Sequence, residues 1–279
     1  MNVQSDHFIT AELLNAVIKL AREAGEQILG IYNTDFDVES KEDKSPLTAA
    51  DMASHRVISD GLANLTPDIP VLSEESSSIP YATRRKWSRY WLVDPLDGTR
   101  EFIKRNGEFT VNIALIDRHR SVLGVVYVPV TRLCYFATLD TGAFKQEHDS
   151  QAQPIHTRKT AMNHFTVAGS RSHGSEQQTA FFNNLGEETE LIAIGSSLKF
   201  CLVAEGKVDI YPRFGPTSEW DTAAAHCIVE AAGGCITDTS MQPLLYNTKE
   251  SILNPHFLVI ADTTFDWQPY LKNICTGIC

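Results

Sequence analysis

The chain has no uninterrupted apolar run near eighteen residues and no apolar segment behind a basic start. It is therefore expected neither to span a membrane nor to carry a cleaved secretion signal. Positive charge is not in excess: 24 Lys and Arg stand against 35 Asp and Glu, a net charge of −11. That argues against nucleic acid as a partner, because such surfaces carry a basic face. The six cysteines (134, 201, 227, 235, 275 and 279) include no C-x-x-C pair and no histidine at zinc spacing. They read as reduced thiols in a cytoplasm, with Cys201 and Cys227 as small core residues in apolar helical runs. The tail is not a prenylation box. Repeats and low-complexity segments are missing as well, and 279 residues suffice for one large domain or two intimately packed halves.

What is present centres on Trp91-Leu-Val-Asp94-Pro95-Leu96-Asp97-Gly98-Thr99-Arg100-Glu101-Phe102. An apolar run ends in two carboxylates three residues apart, and a Gly-Thr pair follows where a helix should begin. Strand ends that turn into helix starts suit phosphate, because the free N–H groups point outward. Two aspartates there would repel that phosphate. Like charges about 4 Å apart cost roughly 4 kcal/mol at an effective dielectric near 20. Converging aspartates therefore protonate, stay apart or hold a cation. Oxygen-only donors select a hard ion, Mg²⁺ rather than zinc or copper. The bland alternative is that both acids merely cap a turn and a helix.

Three further acids sit in matching settings. Val71-Leu72-Ser73-Glu74-Glu75 reads as a short strand presenting Glu74 at its C-terminal end, or else as a solvated loop before the Ser-rich stretch. Asp221 opens the helical segment that stops at Gly233-Gly234, where capping alone would explain it. Asp51 opens or precedes a helical run through Val57, Ile58 and Leu62 and has the same plain reading.

Along the chain, apolar residues at 13, 14, 17, 18, 21, 24 and 28 predict an amphipathic helix over about 10–31, and a second helix is expected near 48–64. Strand patterns at 90–94, 109–117, 121–129 and 132–138 predict an antiparallel meander. From about 154, strands near 164–169, 190–194, 207–211 and 256–261 alternate with helices near 175–185, 197–205 and 220–232. Gln146 to Gln153 is the most polar stretch, so the expected division is an α+β half, 1–150, carrying most of the acids, and an α/β half, 151–279, carrying Asp221. Two decoys fall away. Leu139-Asp-Thr-Gly occurs once, whereas an aspartic protease needs two copies, and Gly169-Ser-Arg-Ser-His-Gly174 lacks nucleophile-elbow spacing. His55, His119 and His226 read as surface or core residues rather than ligands.

Ser73-Glu-Glu75, Asp94-Pro-Leu-Asp-Gly-Thr99 and Trp220-Asp-Thr-Ala-Ala224, in that order, resemble the signatures of the inositol monophosphatase superfamily. The stretch 94–116, with Gly195-Ser-Ser-Leu-Lys199 and Tyr211-Pro-Arg213, is similar to its CysQ-type 3′(2′),5′-bisphosphate nucleotidases. The resemblance covers nearly the whole chain and fades after about residue 265. It implies an α/β fold, a layered αβαβα sandwich. It implies metal binding by Glu74, Asp94, Asp97 and Asp221 and by the carbonyl of Leu96, with two or three Mg²⁺ ions as cofactor. Asp51 and Thr99 would orient the attacking water, and Gly98 and Thr99 would offer N–H groups to the scissile phosphate. His173, Ser196, Lys199 and Arg213 would bind the rest of a bisphosphate nucleotide.

The implied reaction is hydrolysis of the 3′-phosphate of adenosine 3′,5′-bisphosphate, linked to sulfate assimilation and sensitive to lithium. The partner is a small-molecule nucleotide, and no obligate protein partner is evident. Location would be cytoplasmic, with the peripheral inner-membrane association recorded for some relatives left open. The competing readings are an inositol-1-monophosphatase or other sugar phosphatase, which has no use for a second-phosphate clamp, and a non-catalytic sensor on the same scaffold.

Overall fold

The computed structural model describes residues 8–34, 46–162, 164–169, 176–186, 188–272 and 274. Helix α1 (Ala11–Tyr32) starts where Thr10 accepts the Leu13 N–H on its hydroxyl (3.2 Å), and it buries Leu14, Val17, Ile18, Ala21, Ala24 and Ile28 along one stripe. Helix α2 (Pro46–Leu65) runs beside it, so Asp51 lies within a helix rather than ahead of one. Strand β1 (Val71–Ser73) is followed by a 3₁₀ turn, Glu74–Ser76, and a single helical turn α3 (Tyr81–Arg84).

The meander follows: β2 (Arg89–Asp97), a short helix α4 (Thr99–Ile103), β3 (Thr110–Asp117), β4 (Arg120–Val128) and β5 (Leu133–Thr138). Two strands that period-two patterning had not revealed, β6 (Gly142–Glu147) and the two-residue β7 (Gln153–Pro154), complete a seven-stranded sheet in sequential order. Only β1 and β2 pair in parallel; the other neighbours are antiparallel. The polar stretch 146–153 thus lies at the edge of this sheet, where solvated residues belong.

Beyond it come β8 (Phe165–Gly169), α5 (Glu176–Leu185), β9 (Thr189–Ala193), α6 (Leu198–Ala204), β10 (Ile210–Arg213), α7 (Glu219–Ala231), β11 (Cys235–Asp238) and β12 (Phe257–Ile260). They form a five-stranded sheet in the order β11-β12-β10-β8-β9, mixed parallel and antiparallel. Strand β11 is four residues long and went unread, since so short a run carries little pattern.

Side-chain alternation explains the layering. Trp91, Val93, Val111, Ile113 and Leu115 pack under α1 and α2, whereas Tyr90, Leu92, Ala114 and Ile116 pack with α6 and α7. Those helices also cover Tyr211, Ile236, Phe257 and Val259 of the second sheet, and α5 closes its far face over Phe165, Val167, Ile210 and Leu258. The expected αβαβα sandwich is the fold observed, and the central strands of both sheets are buried on both faces. Helix α7 rides directly on β4 at Gly124, where an added Cβ would stand 2.0 Å from the Ala224 carbonyl oxygen. Cys134, Cys201 and Cys227 are free and buried, as the core reading of the last two requires; Cys275 and Cys279 lie outside the described residues. No helix among the described residues is long and apolar enough to cross a membrane.

Candidate active site

The D-P-L-D segment ends β2 in a β-bulge. Asp94 stands opposite Asn112 and Asp97 opposite Thr110, so the register shifts by one between them. Strict alternation would send residues three apart to opposite faces; the extra residue brings both aspartates to one side. Pro95 is tolerated because β1 has ended by then, and its carbonyl accepts a hydrogen bond from Ser54 of α2 (2.8 Å). The Leu96 N–H returns to Asp94 Oδ1 (3.1 Å). Gly98 then turns the chain into α4 with φ of 100°, and a Cβ there would lie 3.2 Å from Phe109 Cα.

The other acids arrive from separate elements. Glu74 comes from the turn after β1, Asp51 from α2, and Asp221 from the first turn of α7, where its Oδ2 accepts the Ser218 N–H at 2.8 Å. The capping role read from the sequence is therefore real, and one carboxylate oxygen performs it. Asp94 is 1% exposed and repelled by four carboxylates, those of Asp97, Asp221, Glu74 and Asp51.

Burial first, and these neighbours second, raise Asp94 well above the usual carboxylate range. Burial followed by Glu75 and Glu74 pushes Asp51 up to about 8, and burial followed by Asp97 pushes Asp221 up to about 7. Glu74 is exposed as a residue, yet partial burial of its carboxyl, then Asp97 and Glu75, raise it too. Asp97 is raised by burial against the opposing pull of Lys199.

Asp51 Oδ1 is buried with no hydrogen-bond partner. Among the described residues no three His, Cys, Asp or Glu side chains already close on one point as a finished ion cage. The donor set still fits hard cations: all-oxygen, mutually repelling, and holding an orphaned carboxylate oxygen.

A cleft of about 580 Å³ opens from Asp97 and Asp221 and runs between Gly98–Glu101 on one side and Ser196–Phe200 and Tyr211–Thr217 on the other. Lys199 and Arg213 both line it. Lys199 is 6% exposed; its Nζ donates to the carbonyls of Ser196 (2.8 Å) and Ile194 (3.2 Å), and burial lowers its pKa to about 8. Arg213 Nη2 donates to the Pro216 carbonyl (3.0 Å), while its Nε is buried without a partner. Ser196 sits at φ of 46°, in the left-handed region, with its hydroxyl buried and unpartnered.

The fold thus brings Asp51, Glu74, Asp94, Asp97 and Asp221 into one charged neighbourhood, with Ser196, Lys199 and Arg213 along the adjoining cleft. Gly98 lines that cleft, and exposed Thr99 opens α4 beside it. His173 lies outside the described residues. The histidines set aside as non-ligands lie in local contacts: His226 Nδ1 pairs with the Tyr246 hydroxyl (2.7 Å) and His55 Nδ1 with Ser73 Oγ (2.9 Å).

Sequence reasoning had not singled out Thr110, Asn112 or Ser197, which hold Asp97, nor Gln178 and Phe214 on the cleft wall. For Thr110 and Asn112 a signal existed: two polar residues two apart on an otherwise apolar strand share one face.

The sequence profile of the inositol monophosphatase family matches residues 10–266. The 3′(2′),5′-bisphosphate nucleotidase CysQ of Escherichia coli O6:H1 is 53% identical over 249 residues, 88% of this chain and 99% of that protein. The crystal structure of CysQ from Bacteroides thetaiotaomicron, described as a bacterial member of the inositol monophosphatase family, superposes with a TM-score of 0.79. It is 46% identical and covers 90% of this chain and 97% of that one. An inositol monophosphatase from Zymomonas mobilis, 23% identical, shares the fold at a TM-score of 0.78 over 95% of this chain and 99% of its own.

Proposed function

The chain belongs to the inositol monophosphatase family, and we propose that within it this protein is a 3′(2′),5′-bisphosphate nucleotidase that converts adenosine 3′,5′-bisphosphate to AMP and phosphate. The observation that carries the reading is the cleft, which joins the acid cluster to Lys199 and Arg213. A monophosphate ester has nothing for those cations to hold, whereas a nucleotide with two phosphates spans from one group to the other. On this reading the substrate is a by-product of sulfate assimilation, and the enzyme would serve its removal.

Two or three magnesium ions suit the donors Glu74, Asp94, Asp97, Asp221 and the Leu96 carbonyl; when bound they supply charge neutralisation and an acidified water. The protein's own part is positional. Asp51, whose buried Oδ1 has no hydrogen-bond partner, takes the proton of the attacking water, and Thr99 orients that water. Backbone N–H groups of Gly98 and Thr99 receive the scissile phosphate. Arg213, with its planar fork, and Lys199, with its remaining N–H, fix the second phosphate, and Ser196 supplies a hydroxyl to it. No Cys or His among the described residues takes part in the bond-breaking step.

The test is phosphate release with Mg²⁺ from adenosine 3′,5′-bisphosphate, inositol 1-phosphate and fructose 1,6-bisphosphate. A strong preference for the nucleotide, abolished by EDTA, is expected. Preference for inositol phosphate would keep the acids and overturn Ser196, Lys199, Arg213 and His173 as nucleotide-binding residues.

A further inference from the structure

The loop Ile194–Leu198 carries the cations' side of the cleft, yet it is fastened to the other half of the molecule at the acid cluster. Ser197, 1% exposed, gives its N–H to Asp97 Oδ2 at 2.6 Å. Its hydroxyl donates to Asn112 Oδ1 (2.9 Å) and meets Thr110 Oγ1 (2.9 Å), and Asn112 Nδ2 leans back on Asp97 Oδ2 at 3.5 Å, closing a ring. A second fastening holds the same loop: Gly195 N–H donates to Glu108 Oε2 at 2.8 Å, and a Cβ at Gly195 would strike Glu101 Cγ at 2.5 Å. On the cleft side, Lys199 Nζ caps the Ile194 and Ser196 carbonyls of this loop. Between the two fastenings, Ser196 is held in the left-handed region with an unsatisfied buried hydroxyl, a local cost that a ligand would offset.

We infer that Ser197 is a positioning residue that couples the two ends of the cleft: occupation of the Ser196–Lys199 side strengthens the loop's fastening, and the fastened loop holds Asp97 in its cation-binding orientation. One Asp97 oxygen is committed to the Ser197 N–H, which the Ser197 hydroxyl seats through Asn112 and Thr110, so the direction of the other depends on where the loop stands. Coupling is reciprocal, so a ligand that fills the Ser196–Lys199 side tightens metal binding, and metal tightens that ligand. The inference rests on the nucleotide reading of the cleft. Thr110 belongs to the same device, because its hydroxyl helps to seat that of Ser197.

The experiment titrates metal-free protein with Mn²⁺, followed by electron paramagnetic resonance, with and without saturating AMP, which keeps one nucleotide phosphate and is not turned over. AMP binding is measured separately by calorimetry. In the wild type, AMP is expected to tighten Mn²⁺ about fivefold or more. Ser197→Ala and Thr110→Val should weaken Mn²⁺ alone and reduce the AMP effect to within about twofold, whereas Thr110→Ser, which keeps the hydroxyl, should restore it. Thermal melts identify any variant that fails to fold, and the Thr110 pair decides the question if Ser197→Ala does. Full coupling in folded Ser197→Ala or Thr110→Val overturns the inference, as does a wild type that binds AMP without tightening Mn²⁺. A wild type that binds no AMP overturns the nucleotide reading itself and the coupling with it.

Discussion

Asp209 and Asp94 are equally buried, each 1% exposed, and live in opposite circumstances. Asp209, in the second half, accepts a two-pronged contact from Arg158 (Nε 2.9 Å, Nη2 2.6 Å) and the Thr166 N–H at 2.8 Å. Three hydrogen bonds, two of them from a guanidinium, stand in for those it lost from water. Asp94, at the end of β2, accepts the Leu96 N–H and is repelled by four carboxylates. A fold optimised only for stability would not keep the second arrangement, since each buried charge without a counterion costs several kcal/mol. The contrast separates two uses of a buried acid: Asp209 ties the segment before β8 to the second sheet, whereas on the proposed function Asp94 would be stabilised by bound cations.

The widest separation between the two comes from changing each to asparagine. Asp94→Asn should reduce phosphate release more than about a hundredfold, since even residues behind a metal ligand are worth 10–100-fold. It should leave the metal-free protein as stable as before or more so, because an asparagine there needs neither a bound proton nor a counterion to be buried. Asp209→Asn should do the reverse. It strands the Arg158 charge and costs about 2–3 kcal/mol in urea denaturation, less than a fully buried pair because Arg158 is 35% exposed, with the rate per folded molecule retained. Normal turnover by Asp94→Asn would remove the acid cluster from the chemistry.

The pH dependence sharpens the same contrast. Asp51 and Asp221 have native pKa values raised to about 8 and about 7, above their unfolded ones, so the native state binds more protons across that window. The stability that these two acids contribute to the EDTA-treated protein is therefore fully present below the ordinary carboxylate range and is lost as pH rises through about 8. A melting temperature several degrees higher near about pH 5.5 than near about pH 8.5 is expected. Mg²⁺ should remove the difference, and an unchanged slope with saturating Mg²⁺ would mean that the acids do not hold it. The smallest effect lies at the far end of the cleft: Arg213→Ala should raise KM for adenosine 3′,5′-bisphosphate about tenfold, the worth of one charged hydrogen bond. Hydrolysis of a monophosphate ester should stay unchanged. Equal losses on both substrates would place Arg213 in the structure of the cleft rather than in selectivity.

Much of this was legible beforehand in particular residues. The amphipathic stripe of α1, the meander, and the Gly233-Gly234 stop of α7 are local patterns, and each stands within two residues or so of its expected place. The acids were legible as strand-end and helix-start carboxylates. Their mutual repulsion was not, because Asp51, Glu74, Asp94 and Asp221 come from four separate elements. Strand β6 escaped because it runs into the polar Lys145-Gln-Glu147, and β7 and β11 because two and four residues are too few for alternation to register. Ser197 looked like one serine in a Gly-Ser-Ser run, and nothing local distinguishes it from Ser196.

The amino-acid sequence by itself determined the element types, the family and the identity of the charged groups, because periodicity, capping and motif spacing are properties of neighbours along the chain. Only the tertiary structure decided which charges would be paired and which left to repel. It set Arg158 against Asp209, turned Asp94 and Asp97 to one side through the β-bulge, and tied Ser197 to Asp97 across a separation of 100 residues. Burial and pairing depend on what packs from elsewhere in the chain, and those two quantities turn a carboxylate into either a structural anchor or a member of a mutually repelling cluster.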